Sequence, residues 1–247
     1  MPVYREKAIV LRHQDLSGAD KIITFLTLGR GKVKAVAKGA RRPKSRLAGT
    51  LESLSIVEMV YFIQPQRSSL ARLNQCELLE PFGNLRSDYD LLIRGLYLAE
   101  LADTMLKEGS PVPACFEQLA GALRAMDEGG DGDLVRLGCT WRFLAALGYG
   151  PSLNACVVCR GENDLATFNP GLGGCLCEAC RTPERDGLSL SHGAIRHLRL
   201  LGELSWQQLR RLKLSAPLKA EIDRVVEAHL NQHLDRRLKS AALLVET

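Results

Sequence analysis

The chain has 247 residues, of which 46% are hydrophobic and 25% are charged, and this composition indicates a folded globular protein rather than a disordered one. No run of 18 apolar residues occurs, so the sequence predicts no transmembrane helix. The net charge of +5 is unevenly placed, because residues 1–80 carry 14 Lys and Arg against 7 Asp and Glu, whereas the remainder carries 19 against 21. A basic first third of this kind indicates contact with a polyanion.

The first 80 residues have the short apolar runs of β-strands. Residues 31–38 alternate between lysines and small apolar residues, which predicts a half-buried strand with a cationic outer face. The other four strands are expected at residues 3–12, 21–28, 54–63 and 70–79. Five short strands with an insert after the third match an OB-fold β-barrel, and another small barrel is the alternative.

From residue 89 onward the apolar period changes to 3.6, which predicts helices. They are expected from Tyr89 to before Gly109 and at residues 111–126, 134–147, 192–201 and 216–238. The sequence therefore predicts an α+β protein with two domains. A five-stranded OB-fold β-barrel at residues 1–80 is followed by a mostly α-helical domain at residues 81–247, with a cysteine-rich zinc-finger insert at about residues 152–185.

Two CxxC pairs separated by 17 residues stand in this insert: Cys156, Cys159, Cys177 and Cys180. Two such pairs can place four thiolates tetrahedrally around Zn²⁺, so we expect one zinc ion, with unliganded cysteines as the alternative. A site closed by four thiolates has no open position for catalysis, which indicates a structural zinc. Cys175 would break the symmetric pairing and is taken as a spectator.

The N-terminus lacks the apolar stretch of a signal peptide, so we expect a cytoplasmic protein without membrane contact. Disulfides are uncommon in that compartment. Apart from Cys175 and the two CxxC pairs, the cysteines are expected to be reduced core residues. These are Cys76, Cys115 and Cys139.

Residues 30–46 hold eight basic residues and no acidic one. Such a run can follow the phosphates of a nucleic acid, while a solvated loop or an anchor for anionic lipid or acidic protein is the alternative. On an OB-type barrel, binding of single strands is favoured. Tyr61 and Phe62 are candidates for base stacking, although strand alternation places at least one of them in the core.

Motifs of the common nucleotide-dependent and hydrolytic enzymes are missing from the sequence. It contains no GxxxxGK[ST], no GxGxxG opening a strand–helix unit and no GxSxG. We therefore expect a binding protein rather than an enzyme.

Two stretches resemble the bacterial RecO family of recombination mediators. The first is residues 20–27 (DKIITFLT) followed by Gly31-Lys32 and by residues 36–46 (VAKGARRPKSR), and the second is the end of the double CxxC at residues 174–180 (GCLCEAC). Order, spacing and length agree over nearly the whole chain. The resemblance implies an N-terminal OB domain, a helical C-terminal domain and a zinc-binding insert.

The resemblance also implies a function in DNA repair and recombination. Members of this family bind single- and double-stranded DNA, anneal complementary strands, act with RecR, contact the C-terminal tail of single-stranded DNA-binding protein (SSB) and help to load RecA onto coated single strands. It thereby implies association with the nucleoid. Together with the strand pattern, it assigns DNA contact to seven residues: Lys32, Lys34, Lys38, Arg41, Arg42, Lys44 and Arg46.

Two other functions remain open at this point. One is a zinc-dependent enzyme that processes nucleic acid, and the other is a protein-interaction adaptor built on an OB scaffold. Charge alone suggests that acidic partner tails dock on four arginines of the helical domain: Arg196, Arg199, Arg210 and Arg211.

Overall fold

The fold is that of a computed structural model, which describes residues 2–42, 45, 47, 49–63 and 70–245. The chain forms two compact units. The first comprises residues 1–129 and 238–247, and the second comprises residues 130–237. Within the described ranges, no helix has both the length and the apolar character that a membrane crossing requires.

The first unit begins with five strands, which are β1 (Val3–Asp15), β2 (Lys21–Thr27), β3 (Gly31–Ala37), β4 (Ile56–Phe62) and β5 (Ala71–Glu80). They close into a barrel in the order β1-β2-β3-β5-β4. The β3–β5 pair is parallel, and the other pairs are antiparallel. The predicted five-stranded barrel of OB type is confirmed.

Strand alternation fills the barrel interior. In β3, Val33, Ala35 and Ala37 point inward and are buried with Phe25 and Tyr61 from neighbouring strands. These side chains alternate with the lysines of the same strand, as the sequence predicts. Burial of this apolar set, at about 25 cal/mol per Å² removed from water, is the main stabilisation of the barrel.

Three helices follow the barrel within the first unit, and they are α1 (Gly83–Ser87), α2 (Tyr89–Met105) and α3 (Pro113–Asp127). Asp88 caps α2 because its carboxylate accepts the backbone N–H of Leu91 at 3.1 Å. The C-terminal segment returns to this unit as a 3₁₀ helix (Lys239–Val245). The side chain of Glu100 in α2 accepts the backbone N–H groups of Lys239 and Ser240, which holds that segment in place.

The second unit contains α4 (Gly132–Ala146), β6 (Leu165–Asn169), β7 (Gly174–Cys177), β8 (Leu188–Ser189), α5 (His192–Glu203), α6 (Trp206–Arg211) and α7 (Ala216–Asn231). Two 3₁₀ turns, Glu178–Cys180 and Pro183–Arg185, lie between β7 and β8. The three strands form a small sheet in the order β7-β6-β8.

Two details of the second unit differ from the sequence expectation. A further short helix, α6, stands between α5 and α7 and has a capping box in which Ser205 and Gln208 bond each other's backbone. The last helix ends at Asn231 rather than at residue 238, and Leu238 and the residues after it belong to the first unit. The change of texture expected at residue 80 coincides with the end of β5, whereas the first compact unit extends to Gly129.

Candidate functional sites

Four cysteines come together in the second unit. The Sγ atoms of Cys156, Cys159, Cys177 and Cys180 all lie within 4.8 Å of one another, and among the described residues this is the only group of three or more potential ligands. The Sγ atoms of Cys159 and Cys177 are 3.7 Å apart. A tetrahedral ion with metal–sulfur distances of about 2.3 Å needs sulfur atoms about 3.8 Å apart. The group could therefore hold one metal ion.

The backbone of the first pair forms a tight turn that presents its sulfur atoms. Cys156 N–H donates to the carbonyl of Gly161 at 2.7 Å, and Arg160 N–H donates to the carbonyl of Cys156 at 2.9 Å. Burial raises the pKa of Cys156, but backbone N–H groups of Cys159 and Cys177 donate to its sulfur, and the net pKa is lowered to about 6. The turn thus favours the thiolate at Cys156, which is the form that binds a metal. The pKa of Cys180 is instead raised to about 12, chiefly by hydrogen bonds with Cys177 and Cys159.

A hairpin brings in the second pair. Cys177 ends β7, and Cys180 ends the 3₁₀ turn that follows. Cys175 lies on the same strand opposite Phe168 of β6 and is fully buried outside the cluster. Burial raises the pKa of Cys175 to about 11, so it remains a neutral thiol. The only ligand type in the cluster is thiolate sulfur, which leaves it closed to substrate.

The remaining cysteines lie in apolar surroundings. Cys115 and Cys139 are fully buried, and Cys76 packs half-buried against the barrel core. Burial raises the pKa of Cys76 to about 11 and that of Cys115 to about 12, so both are unreactive thiols.

The lysines of β3 differ in environment along the strand. The side chain of Lys32 is only 10% exposed, and its Nζ lies 3.1 Å from the carboxylate of Asp103 and also donates to the carbonyl of that residue. The Nε of Arg12 lies 2.6 Å from the same carboxylate. Burial raises the pKa of Asp103, but hydrogen bonds from the two cations outweigh it, and the net pKa is lowered. Lys32 thus belongs to a buried ionic group and not to an open cationic face.

The exposure of the lysine side chains rises toward the end of β3 and beyond it. Lys34 is 32% exposed and forms an ion pair with Glu108, which is 47% exposed. Lys38 follows the last residue of β3 and is exposed. The cationic outer face predicted for the whole of β3 is therefore closed at Lys32, shared with a carboxylate at Lys34 and open at Lys38.

Two arginines continue the exposed surface beyond the strand. Arg41 and Arg42 are both exposed. Arg41 forms an exposed ion pair with Asp15, at 3.5 Å, and donates to the carbonyl of Gly18 at 3.3 Å. Lys44 and Arg46 lie outside the described residues. We call the set Lys38, Arg41 and Arg42 the basic edge of the barrel.

Hydrogen bonds hold the backbone of the basic edge. Gly39 N–H donates to the carboxylate of Asp20 at 2.7 Å, and Arg41 N–H donates to the carbonyl of Ala19 at 2.9 Å. Gly39 has a φ of +66°, which an L-residue rarely adopts, so glycine suits this turn. The loop between β1 and β2 therefore positions the turn that carries the arginines.

The two stacking candidates separate as strand alternation requires. Tyr61 is fully buried in the barrel core, where burial raises its pKa to about 12. Phe62 points the other way, is half-buried, and has the guanidinium of Arg72 5.9 Å from its ring centre. Phe62 is the member of the pair that a base could reach.

The four arginines suggested as a docking surface are not equivalent. Arg196 and Arg211 are exposed. Arg199 donates to the carbonyl of Leu153 at 2.6 Å, and Arg210 is half-buried. Charge counting alone therefore overstates the cationic surface of this unit.

Sequence reasoning did not find the acidic partners of the β3 lysines. Asp103 and Glu108 lie about 70 residues from the strand in sequence. Asp103 is in α2 and Glu108 follows it, and the apolar pattern of this helix does not indicate a contact with β3. The nearest signal is the position of Asp103 in the last turn of α2, where the helix dipole disfavours an acidic side chain unless a cation lies nearby.

The chain combines a closed five-stranded barrel that has an exposed basic edge with a helical unit that carries a four-cysteine cluster. These features define the class of OB-fold proteins with an added cysteine module that could hold a metal ion. Models of the family described as recombination protein O match the chain in two parts. The N-terminal model matches residues 1–82 and the C-terminal model matches residues 86–242. The chain belongs to this family, RecO.

Curated relatives agree over the full length. The chain is 33% identical to the DNA repair protein RecO of Moorella thermoacetica over 247 residues, covering 99% of this chain and 91% of that protein. It is 36% identical to that of Symbiobacterium thermophilum, with 99% and 97% covered. It is 35% identical to that of Cutibacterium acnes, with 99% of both chains covered.

Proposed function

We propose that this protein is a DNA repair and recombination mediator that binds single- and double-stranded DNA through the basic edge of its barrel. The observation that carries the proposal is the placement of Lys38, Arg41 and Arg42, which are exposed together at the end of β3. Cationic side chains on a rigid barrel can neutralise phosphates and release their counterions. Lys44 and Arg46 continue the same basic sequence, and we include them among the proposed contacts.

Lys32 has a different proposed role. Its ammonium group is enclosed beside Asp103, whose carboxylate also pairs with the partly exposed Arg12, so a phosphate would have to displace a buried carboxylate to reach it. Such displacement leaves a buried charge without its partner, which is strongly unfavourable. We assign Lys32 to the stability of the barrel rather than to DNA contact.

The mechanism that we propose is strand annealing without nucleotide hydrolysis. Two complementary strands repel each other, and cations that neutralise their phosphates lower the free energy of bringing them together. The protein then acts as a binding surface and not as an enzyme. The names of its relatives support repair, and by the family resemblance the partners are RecR, the C-terminal tail of SSB and, indirectly, RecA, in the cytoplasm at the nucleoid.

For the cysteine cluster we propose one structural Zn²⁺ held by Cys156, Cys159, Cys177 and Cys180. Four sulfur ligands in two turns, with backbone N–H groups favouring a thiolate, fit this ion. When bound, zinc would supply folding free energy to the module and no catalysis. A zinc-dependent nucleic-acid enzyme would need an open metal position, which a set of four thiolates does not leave.

The test is binding of a fluorescein-labelled oligo(dT) by fluorescence anisotropy at several salt concentrations. R41A/R42A should weaken binding and reduce the slope of log K against log salt by about 1.4, because each phosphate contact of a single strand contributes about 0.7. R5A/R224A removes the same charge from two other exposed positions and serves as the matched control. Equal affinity and slope for wild type and R41A/R42A would contradict the proposed surface.

A second assay separates the mediator from a protein-interaction adaptor. Complementary oligonucleotides are coated with SSB, and annealing is followed by fluorescence quenching as the labelled strands pair. A mediator should accelerate annealing, and R41A/R42A should slow it. An adaptor should bind its protein partners but leave both oligonucleotide binding and annealing unchanged.

A further inference from the structure

The outer face of β3 is partly covered by a segment of the same chain. Residues 103–110, here called the covering segment, run from the end of α2 alongside the first half of the strand. Glu108 makes an isolated parallel bridge with Lys32, and Gly109 N–H donates to the carbonyl of Lys32 at 3.1 Å. Backbone pairing therefore fixes where the covering segment lies on the strand.

A glycine makes this close approach possible. Gly31 has a φ of +68°, and a Cβ at this position would overlap the carbonyl of Ser110. The pairing of the two backbones holds Glu108 beside the strand. Its carboxylate is held at Lys34, where the two groups form an ion pair.

The ion pair lies at the limit of the covered part. Lys32, on one side, is buried, and Lys38, on the other, is exposed. Lys34 and Glu108 are 32% and 47% exposed, so a phosphate group could reach this position. A carboxylate and a phosphate both present anionic oxygen atoms that accept hydrogen bonds from a lysine. A phosphate at this position would therefore compete with Glu108 for one ammonium group.

We propose that Glu108 is an internal competitor for phosphate at Lys34 and sets the limit of the nucleic-acid contact surface on β3. This inference rests on the proposed function, since it assumes that single strands bind at the basic edge. With the carboxylate present, contact begins at Lys38. Without it, Lys34 becomes available and the surface extends by one cation along the strand.

The experiment compares wild type with E108Q in the anisotropy titration of labelled oligo(dT). Glutamine keeps the backbone bridge and the side-chain size but removes the charge. Affinity at low salt should rise about two- to fivefold, as expected when an exposed ion pair no longer competes. The salt slope should become steeper by about 0.7, which corresponds to one additional phosphate contact on a single strand.

Two further variants make the result specific. In a K34Q background, the added E108Q substitution should leave the salt slope nearly unchanged, because no ammonium group is released. The control E58Q removes a carboxylate of intermediate exposure from another barrel ion pair, that with Arg5, and should not steepen the slope. An equal gain from E108Q with and without Lys34 would overturn the inference, since it would reflect net charge alone.

Failure of this inference can be told from failure of the proposed function. If R41A/R42A weakens binding while E108Q leaves affinity and slope unchanged, DNA binds at the basic edge and Glu108 does not compete for it. If R41A/R42A has no effect, the surface assignment itself is wrong. A steeper slope in E108Q that disappears with K34Q supports both.

Discussion

Replacement of Asp103 by asparagine removes the anion that Lys32 and Arg12 share. The Asp103 and Lys32 side chains are 12% and 10% exposed, so the lysine would keep a charge with little access to water. Breaking a buried ion pair costs about 3–5 kcal/mol. We expect about 3 kcal/mol, because Lys32 still donates to the backbone carbonyl of residue 103 and Arg12 can turn to solvent.

Urea unfolding followed by far-ultraviolet circular dichroism measures this loss. A loss of about 3 kcal/mol in a protein of this size lowers Tm by about 6–12 °C, which a thermal scan should reproduce. The double variant D103N/K32M should recover part of the stability, since methionine removes the stranded charge but keeps the apolar stem. A loss below about 1 kcal/mol in D103N, or no recovery in the double variant, would refute the assignment of a buried ionic group.

The same carboxylate predicts a direction for the pH dependence of stability. The pKa of Asp103 is lowered in the folded protein, while the unfolded chain has the ordinary value of about 3.9. The contribution of Asp103 to the free energy of unfolding is therefore fully present above its unfolded pKa. This contribution is lost as the pH falls through the lowered pKa of the folded protein. In D103N this acid-dependent part of the free energy of unfolding should be missing.

Three further tests concern the cysteine cluster, two glycines and the C-terminal segment. We expect one Zn²⁺ per chain by metal analysis, with Tm lowered by a chelator; C156S should lose the ion, whereas C175S should retain it. G31A should destabilise the first unit by more than about 2 kcal/mol in urea unfolding, since it combines a positive φ with a backbone overlap, while G49A at a φ of +82° in open space should cost only about 1–2 kcal/mol. E100A should lower stability by about 1–2 kcal/mol and expose the C-terminal segment to carboxypeptidase, because two backbone N–H groups lose their acceptor.

Local pattern predicted the barrel because β3 alternates in its own sequence and the other strands are short apolar runs. The lysines of β3 stand out of phase with Val33, Ala35 and Ala37, and the structure buries the apolar set as expected. The cysteine cluster was predictable for a similar reason, since the two CxxC spacings are local and only the return of the chain had to be inferred.

The environment of the same lysines was not predictable in this way. Alternation predicts which face of a strand each side chain is on. Whether that face is exposed to solvent depends on what packs against it, and the covering segment comes from about 70 residues away in sequence. Charge counts fail for the same reason at Arg199, whose guanidinium is occupied by the carbonyl of Leu153. In contrast, the Ser205 and Gln208 pattern that caps α6 was present in the sequence and could have identified that helix.

The return of the C-terminal segment has a practical consequence for dissecting the protein. Because residues 238–247 belong to the same unit as residues 1–129, a fragment ending at residue 129 is not the complete barrel unit. Such a fragment would leave Glu100 in α2 without the backbone groups it holds. An expression fragment intended to isolate the barrel should therefore join residues 238–247 to residue 129 through a flexible linker. The second unit can be cut out as one continuous piece, residues 130–237.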